Sequence, residues 1–446
     1  MGAATRERTR REARRAPGSS RQQRGNASAG APAGRSVSVP ATTALRSVAR
    51  TGLPAAVLRR MVLVEAALAL VVAGLALGGP WLVAAVPVAC LLVVVAVVRR
   101  RGRAVRDWLS TALALRERRR TAAAPAPGTE PQLAPVAESV PGLAPYAYVD
   151  RSRRTVGMVG DGTFLTAVVR VEADGESLHR ARGARALPLS LLGNALTVDD
   201  IVLESAQLLQ QVRPAPAQHL PQRSAARLSY APLQERIGAP ALRMTWVAVK
   251  LDPQLCREAV EARGGGIGGA QRCLVRVADH VASRITGAGF RAVVLDQEEL
   301  HSAVAASACA SPMLSARAGR PDAAPQRRTS ETARAWRCDD RRHTAYVVGR
   351  WPELGRGATP LPLLVSLLTS VPAYATAFSL TVRRGAHRGE VSVVGHVRVT
   401  GGSDTELVGV RRTLEQAARH AEVGLVRLDR EQVPGVLATL PLGGAR

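Results

Sequence analysis

The chain has 446 residues and a formal net charge of +26 at pH 7, with 61 Lys and Arg against 35 Asp and Glu. Aromatic residues make up only 3% of it and no RNA- or DNA-reading module is recognisable, which argues against a nucleic-acid-binding domain as the source of the charge. Five cysteines (Cys90, Cys256, Cys273, Cys309, Cys338) stand singly, without CxxC or paired His/Cys spacing, which argues against a zinc site or a disulfide framework.

The charge is unevenly placed. Residues 1–120 hold 22 Arg against five acids, an excess of +17 that leaves only +9 for the rest of the chain. Residues 1–44 are Arg, Ala, Ser, Gly and Pro with few large apolar side chains, a composition that cannot bury enough surface to offset chain entropy, and they read as a disordered basic tail. Within 58–98 two apolar runs, 61–79 and 81–98, stand back to back around Gly78-Gly79-Pro80. At 1.5 Å per residue they span roughly 28 and 27 Å, close to the ~30 Å hydrocarbon core, so each suffices for one crossing. Arg46, Arg50, Arg59 and Arg60 precede the first run; Arg99, Arg100, Arg101, Arg103 and Arg106 follow the second. The positive-inside rule then predicts a two-pass hairpin in the cell membrane with both termini cytoplasmic and the arginines beside anionic lipid.

A juxtamembrane helix is predicted over 99–120 from the helical spacing of Val105, Trp108, Leu109, Ala112 and Leu113, and an Ala/Pro linker over 121–144. The segments that follow occur twice in one order, in halves at 145–310 and 333–446 joined by a linker at 311–332. Each half opens with a hairpin (Arg154–Val159 and Thr163–Val171 around Gly160-Asp161-Gly162; Ala333–Cys338 and Thr344–Arg350) and a short helix at Leu187 or Leu361. Strands follow at Ile201–Val212 and Leu242–Leu251, or Ala375–Arg383 and Val391–Thr400, then a long helix (Ala270–Thr286; Asp404–Ala421), a strand and a last helix. Leu295-Asp296-Gln297-Glu298 and Leu428-Asp429-Arg430-Glu431 close the two strands alike. The fold class expected is α/β: a transmembrane hairpin, then a cytosolic domain of two duplicated split βαβ-like (β-β-α-β-β-α-β) halves packed as a pseudo-twofold pair, with a Pro-rich insertion at 213–240 in the first.

No constellation assembles into an active site. Gly264, Gly266 and Gly269 satisfy G-x-G-x-x-G, but about a dozen residues separate them from the preceding strand and Gly401-Gly402-Ser403 repeats the position, which favours a flexible loop. Asp296 and Asp429 each precede a helix with Glu299 or Gln432 three residues on, a capping-box pattern. Cys338-Asp339-Asp340-Arg341-Arg342-His343 mixes nucleophile, acid and base types on a hairpin turn, where neighbours alternate faces and stay solvated. The histidines show no metal spacing. Catalytic, cofactor and metal residues are therefore expected to be absent. Three positions stand out as partner-interface candidates: Glu65, an acid inside the first apolar run, and Trp108 and Leu109, residue types suited to an interface core.

Taken with the paired spans, Asp107-Trp108-Leu109, Arg154-Thr155-Val156-Gly157 with Gly160-Asp161-Gly162-Thr163-Phe164, Trp336-Arg337-Cys338-Asp339-Asp340, and Leu428 to Leu437 make the chain resemble the EccE family of actinobacterial type VII (ESX-like) secretion systems. The resemblance implies a non-enzymatic subunit of the inner-membrane secretion complex, beside a separate ATPase, a multispanning channel-like subunit and a periplasm-facing subunit, with no cofactor and no nucleic acid. Such a subunit would brace the complex and hold a cytosolic domain against its partners. The alternatives are a membrane-tethered nucleotide-binding enzyme and a membrane-bound nucleic-acid adaptor.

Overall fold

The computed structural model describes residues 55–78, 85–90, 99–100, 103–126, 128–150, 152–173, 186–214, 223–225, 228–229, 241–320, 322–353, 360–385, 387 and 390–444, with side chains from Glu65 in the first helix and from Ser110 in the helix at 105–121. The basic tail, the Gly79-Pro80 turn and most of the insertion at 213–240 lie outside the described residues. Helix α1 (Ala55–Leu77) takes the first apolar run, and residues 85–90 are helical within the second. Among the described residues no helix is long and apolar enough to cross a membrane. Residues 99–100 and 103–104 form a small two-stranded ladder, so helix α2 starts only at Val105 and runs to Thr121. The expected helix over 99–120 is shortened at its start.

The rest is mixed α/β, built on one antiparallel sheet of twelve strands. The strands are β1 (Ala144–Val149), β2 (Thr155–Gly160), β3 (Leu165–Ala173), β4 (Ser205–Pro214), β5 (Ala241–Leu251), β6 (Phe290–Val294), β7 (Thr329–Glu331), β8 (Trp336–Cys338), β9 (Arg341–Arg350), β10 (Ala375–Arg384), β11 (Val391–Gly401) and β12 (Gly424–Arg427). Their order is β7-β8-β9-β11-β10-β4-β5-β3-β2-β1. One edge of β3 pairs with β5, and the other is shared end to end by β2 and β6. β9 is flanked in the same way, by β11 on one edge and by β8 and β12 on the other. The two sets meet where β4 pairs with β10, Leu209 opposite Ser379, in an antiparallel contact whose local symmetry is twofold.

Two strands went unread. β1 contains Pro145, whose missing N–H is tolerated on a sheet edge but makes the segment read as loop, and β7 is three residues long. The linkers also need correction. Within 121–144, Leu133, Val136 and Leu143 are buried in one cluster with Leu300, Val304, Val433 and Val436. Within 311–332 lie the helix Pro312–Ala318 and β7. Ala/Pro composition suggested solvated chain; a few well-spaced apolar residues sufficed to dock the first segment.

Helices cover both faces of the sheet. One face carries α4 (Leu361–Thr369) and α5 (Asp404–His420) over the second set of strands, and α3 (Gly266–Gly287) over the first, where Cys273, Leu274, Val277, Val281 and Ile285 meet Leu165, Ala167, Val169 and Val249. The opposite face carries α6 (Gln297–Ala308) and α7 (Gln432–Leu437). Arg398, 1% exposed, sits beneath these last two and donates from Nη2 to Ser307 O (2.5 Å) and Thr439 O (3.3 Å), just where the helices end. Partial negative charge at helix C-termini stabilises a cation there. Burial pushes the Arg398 pKa down to about 10, which leaves it charged at neutral pH.

The chain's end crosses back onto the first set of strands. Thr166 donates to Leu442 O, Ser205 Oγ to Gly443 O (2.6 Å), and Gly443 N to Gln207 Oε1 (2.9 Å). Gly443 has φ +82°, and a Cβ there would lie 2.5 Å from Lys250 Cβ, so only glycine fits.

Candidate functional site

The last turn of α2 is Arg118-Arg119-Arg120, and the first two of these fasten the helix to the sheet. Arg118 forms a bidentate pair with Glu331 of β7, Nε to Oε2 at 2.9 Å and Nη2 to Oε1 at 3.0 Å, and donates again to Arg430 O at 2.6 Å. Arg119 Nε donates to Glu331 O at 2.9 Å. Glu331 Oε1 also accepts from Val433 N in the first turn of α7, at 3.0 Å. The Glu331 side chain is 4% exposed and that of Arg118 28%. A buried carboxylate holding a planar guanidinium by two parallel bonds fixes direction as well as position, so the C-terminal end of α2 is held in one orientation against the sheet. Neither partner was singled out in the sequence, where Arg118 sits in an arginine run and Glu331 in a supposed linker.

The same edge is braced by a second network. Arg328 pairs with Asp339, Nε to Oδ1 at 2.8 Å and Nη2 to Oδ2 at 2.7 Å, with side chains 7% and 0% exposed. Burial works against the Arg328 charge, but the Asp339 pair outweighs it and holds the pKa above its ordinary value. Glu138 accepts from Arg328 N, Thr329 N and Thr329 Oγ1; burial raises its pKa against those three bonds. The Cys338-Asp339-Asp340 turn is thus a buried anchor at Asp339 rather than a solvated loop. Burial pushes the Cys338 thiol well up, so it is no nucleophile.

Glu65 is exposed on α1, and Trp108 and Leu109 lie on α2 among residues whose side chains fall outside the described ones. Helical spacing places position 108 with 111, 115 and 118, the face fastened by Arg118, and position 109 with 113, 116 and 120 on the other.

The remaining motifs have structural explanations. Gly264 and Gly265 make the turn between the helix Arg257–Ala262 and α3, and Gly266, Gly268 and Gly269 fall in the first turn of α3, with φ of +92°, +67° and +56° at Gly264, Gly265 and Gly266. Arg272 folds back over this turn, Nε donating to Arg263 O at 2.6 Å. A groove of about 530 Å³ beside it is lined by Tyr146, Phe164, Asp252, Arg257, Glu261 and Ile267 among others. Asp296 forms the expected capping box with Glu299. Asp429 does not: it pairs with Arg427 at 3.0 Å (Nη2 to Oδ2), and Gln432 is buried, accepting from Ala345 N and donating to Leu428 O. Asp296→Asn is therefore expected to leave stability unchanged, because Asn also caps, and Asp296→Ala to cost about 1 kcal/mol in urea unfolding.

His343 is fully buried, its Nδ1 2.9 Å from Thr400 Oγ1, and burial drives its pKa well below the ordinary value; burial, with Arg383 adding, drives that of His396 to about 4. Both are neutral in the fold and must protonate in the unfolded chain below about pH 6.5. The contribution of each is complete above that pH and is lost as pH falls towards its depressed pKa, about 4 for His396. Stability is expected to drop between pH 7 and pH 5 by about 2 kcal/mol from His396 alone, measured by denaturant midpoints. Among the described residues no group of His, Cys, Asp or Glu could hold a metal ion.

Fold and site together define a class: an α/β scaffold whose conspicuous polar groupings fasten its own elements to one another. Residues 239–348, from the start of β5 almost to the end of β9, match the family model described as "Putative type VII ESX secretion system translocon, EccE". Over that segment the chain is similar to the EccE family, as its sequence motifs led us to expect. No curated protein matches it.

Proposed function

We propose that the protein is a non-enzymatic structural subunit of a type VII secretion membrane complex, anchored by a two-pass hairpin with both termini cytoplasmic, and that it braces the assembly by presenting its α/β domain to the ATPase, channel-like and periplasm-facing subunits. The observation that carries this reading is the clamp of Arg118 and Arg119 on Glu331 and Arg430, which would make anchor and domain one rigid body. The hairpin is supported by the apolar runs, by the arginines on both flanks, and by α1 itself. There Ala67, Leu70, Val71 and Gly74 form a covered stripe at i, i+3/i+4, i+7, while Leu68, Val72 and Leu75 are exposed, as on a helix with one partner and lipid elsewhere. The matching surroundings of β3 and β9 support duplicated halves, a symmetric frame with contacts on both sides.

The test is to purify the tagged full chain in mild detergent and to fuse topology reporters before Arg6 and after Arg446. Co-purification of the other secretion subunits with both reporters cytoplasmic is the expected result. An outside-facing reporter would overturn the topology. Saturable ATP binding would revive the nucleotide-enzyme reading at the groove beside Gly266, and salt-dependent DNA binding the adaptor reading.

A further inference from the structure

The clamp fastens one side of α2, and the described side chains on the other side are largely exposed. Leu115 is buried and Arg118 is engaged, whereas Leu113 is 58% exposed and Ser110, Arg116, Glu117 and Arg120 are exposed. Leu109, Leu113, Arg116 and Arg120 fall on this outer face at i, i+4, i+7 and i+11, with Arg106 in the same row by position. By position this face sets two leucines in one row with arginines, Leu113 being exposed, on a helix whose direction the half-buried ion pair already fixes.

We propose that this outer face of α2 is a docking site for an acidic amphipathic helix of a partner subunit, its apolar side chains on Leu109 and Leu113 and its carboxylates opposite Arg116 and Arg120. This deepens the function proposed above and rests on it. Charge complementarity selects the occupant. A second copy of the same helix would set arginine rows against each other, which is unfavourable at close range. A lipid surface needs a broad apolar face to insert, whereas this stripe is narrow and Glu117 interrupts its cations. Prior fixation of the helix lowers the ordering cost of binding, so a short contact suffices.

The test uses the full chain in nanodiscs of zwitterionic lipid and a fluorescent helix-forming peptide of Ala, Glu and Leu with leucines spaced i, i+4, read by anisotropy. Leu113→Glu and the pair Arg116→Glu/Arg120→Glu are exposed changes that leave the fold intact. Each is expected to weaken binding about tenfold or more, and the Arg-to-Glu pair to bind the same peptide with Lys for Glu instead. Equal binding by wild type and both variants, or equal binding of a peptide with Ser for Leu, would overturn the proposal. So would a dimer that dissociates in Leu113→Glu, which would make a second copy the occupant. Quenching of a dye on Leu113→Cys by brominated lipid would place the face on the bilayer and overturn it too. In the native membrane, normal co-purification of secretion subunits with all three substitutions would sink the docking site alone. Absence of those subunits from wild-type preparations would instead sink the functional reading.

Discussion

Asp339→Ala is expected to destabilise the protein by about 3–5 kcal/mol, because it strands a guanidinium inside the fold. Arg328 is 8% exposed, and among the described residues no other carboxylate bonds its guanidinium, which also donates to Pro131 O, Ser315 Oγ and Ser311 O. Asp339 also accepts from Ser311 N at 2.7 Å, so the same change leaves a second donor without its acceptor. Backbone geometry adds to the cost, since Asp339 has φ +52°, a conformation that Asp and Asn tolerate better than Ala. Asp339→Asn keeps the conformation and one of the two acceptors, but turns its amide nitrogen towards a donor, and should lose about 2 kcal/mol. The diagnostic variant is Arg328→Met combined with Asp339→Ala. Removing both charges should recover much of the loss, because apolar replacement of a buried pair avoids the desolvation penalty. Urea midpoints of the three variants decide the matter, and a loss under about 1 kcal/mol for Asp339→Ala would show that the pair is not buried in solution.

This anchor illustrates what the sequence hid. A Cys-Asp-Asp turn between two strands reads as solvated because turn residues are usually polar and exposed, and nothing local reveals that Arg328, eleven positions earlier, closes over it. The period-two and period-3.6 patterns did locate most strands and helices, as with β5, found at Ala241–Leu251 against an expected start at Leu242, and α5, found at Asp404–His420. What periodicity cannot encode is which strand lies beside which. β4 and β10 are buried almost throughout, so their join shows no alternation pointing to a neighbour. Leu295-Asp296 and Leu428-Asp429 show the limit at single-residue scale. The words are alike, but two positions before Asp429 stands Arg427, where the first copy has Val294, and the arginine takes the carboxylate away from the helix that Asp296 caps in the other half. Of the site, α2 was legible from its spacing, while the Glu331 receptor was not, being one acid in a stretch whose composition promised only chain.

Glu331→Gln is expected to release α2 from the sheet without unfolding the domain. Glu331 supplies two charged bonds to Arg118 and accepts from Val433 N. A neutral amide keeps one acceptor and turns its other group towards a guanidinium, donor against donor. Removal of one partner of a buried pair costs about 3–5 kcal/mol, but Arg118 is partly exposed and rehydrates on leaving, so the loss should be nearer about 2–3 kcal/mol. The cost falls on docking rather than on global stability, since α2 shares no strand pairing with the twelve-stranded sheet and contributes one buried side chain, Leu115, among those described. Limited proteolysis should therefore cut more readily within 122–130, while the urea midpoint of the remaining domain moves little. Arg118→Ala should behave similarly, leaving Glu331 with Val433 N as its side-chain partner. If the clamp transmits position from anchor to domain, both variants will stay in the membrane, expressed at wild-type level, and secretion will fall. Undiminished secretion with demonstrably faster cleavage at 122–130 would mean that the rigid link is dispensable, and the bracing role would then have to reside in the sheet and its outer helices alone.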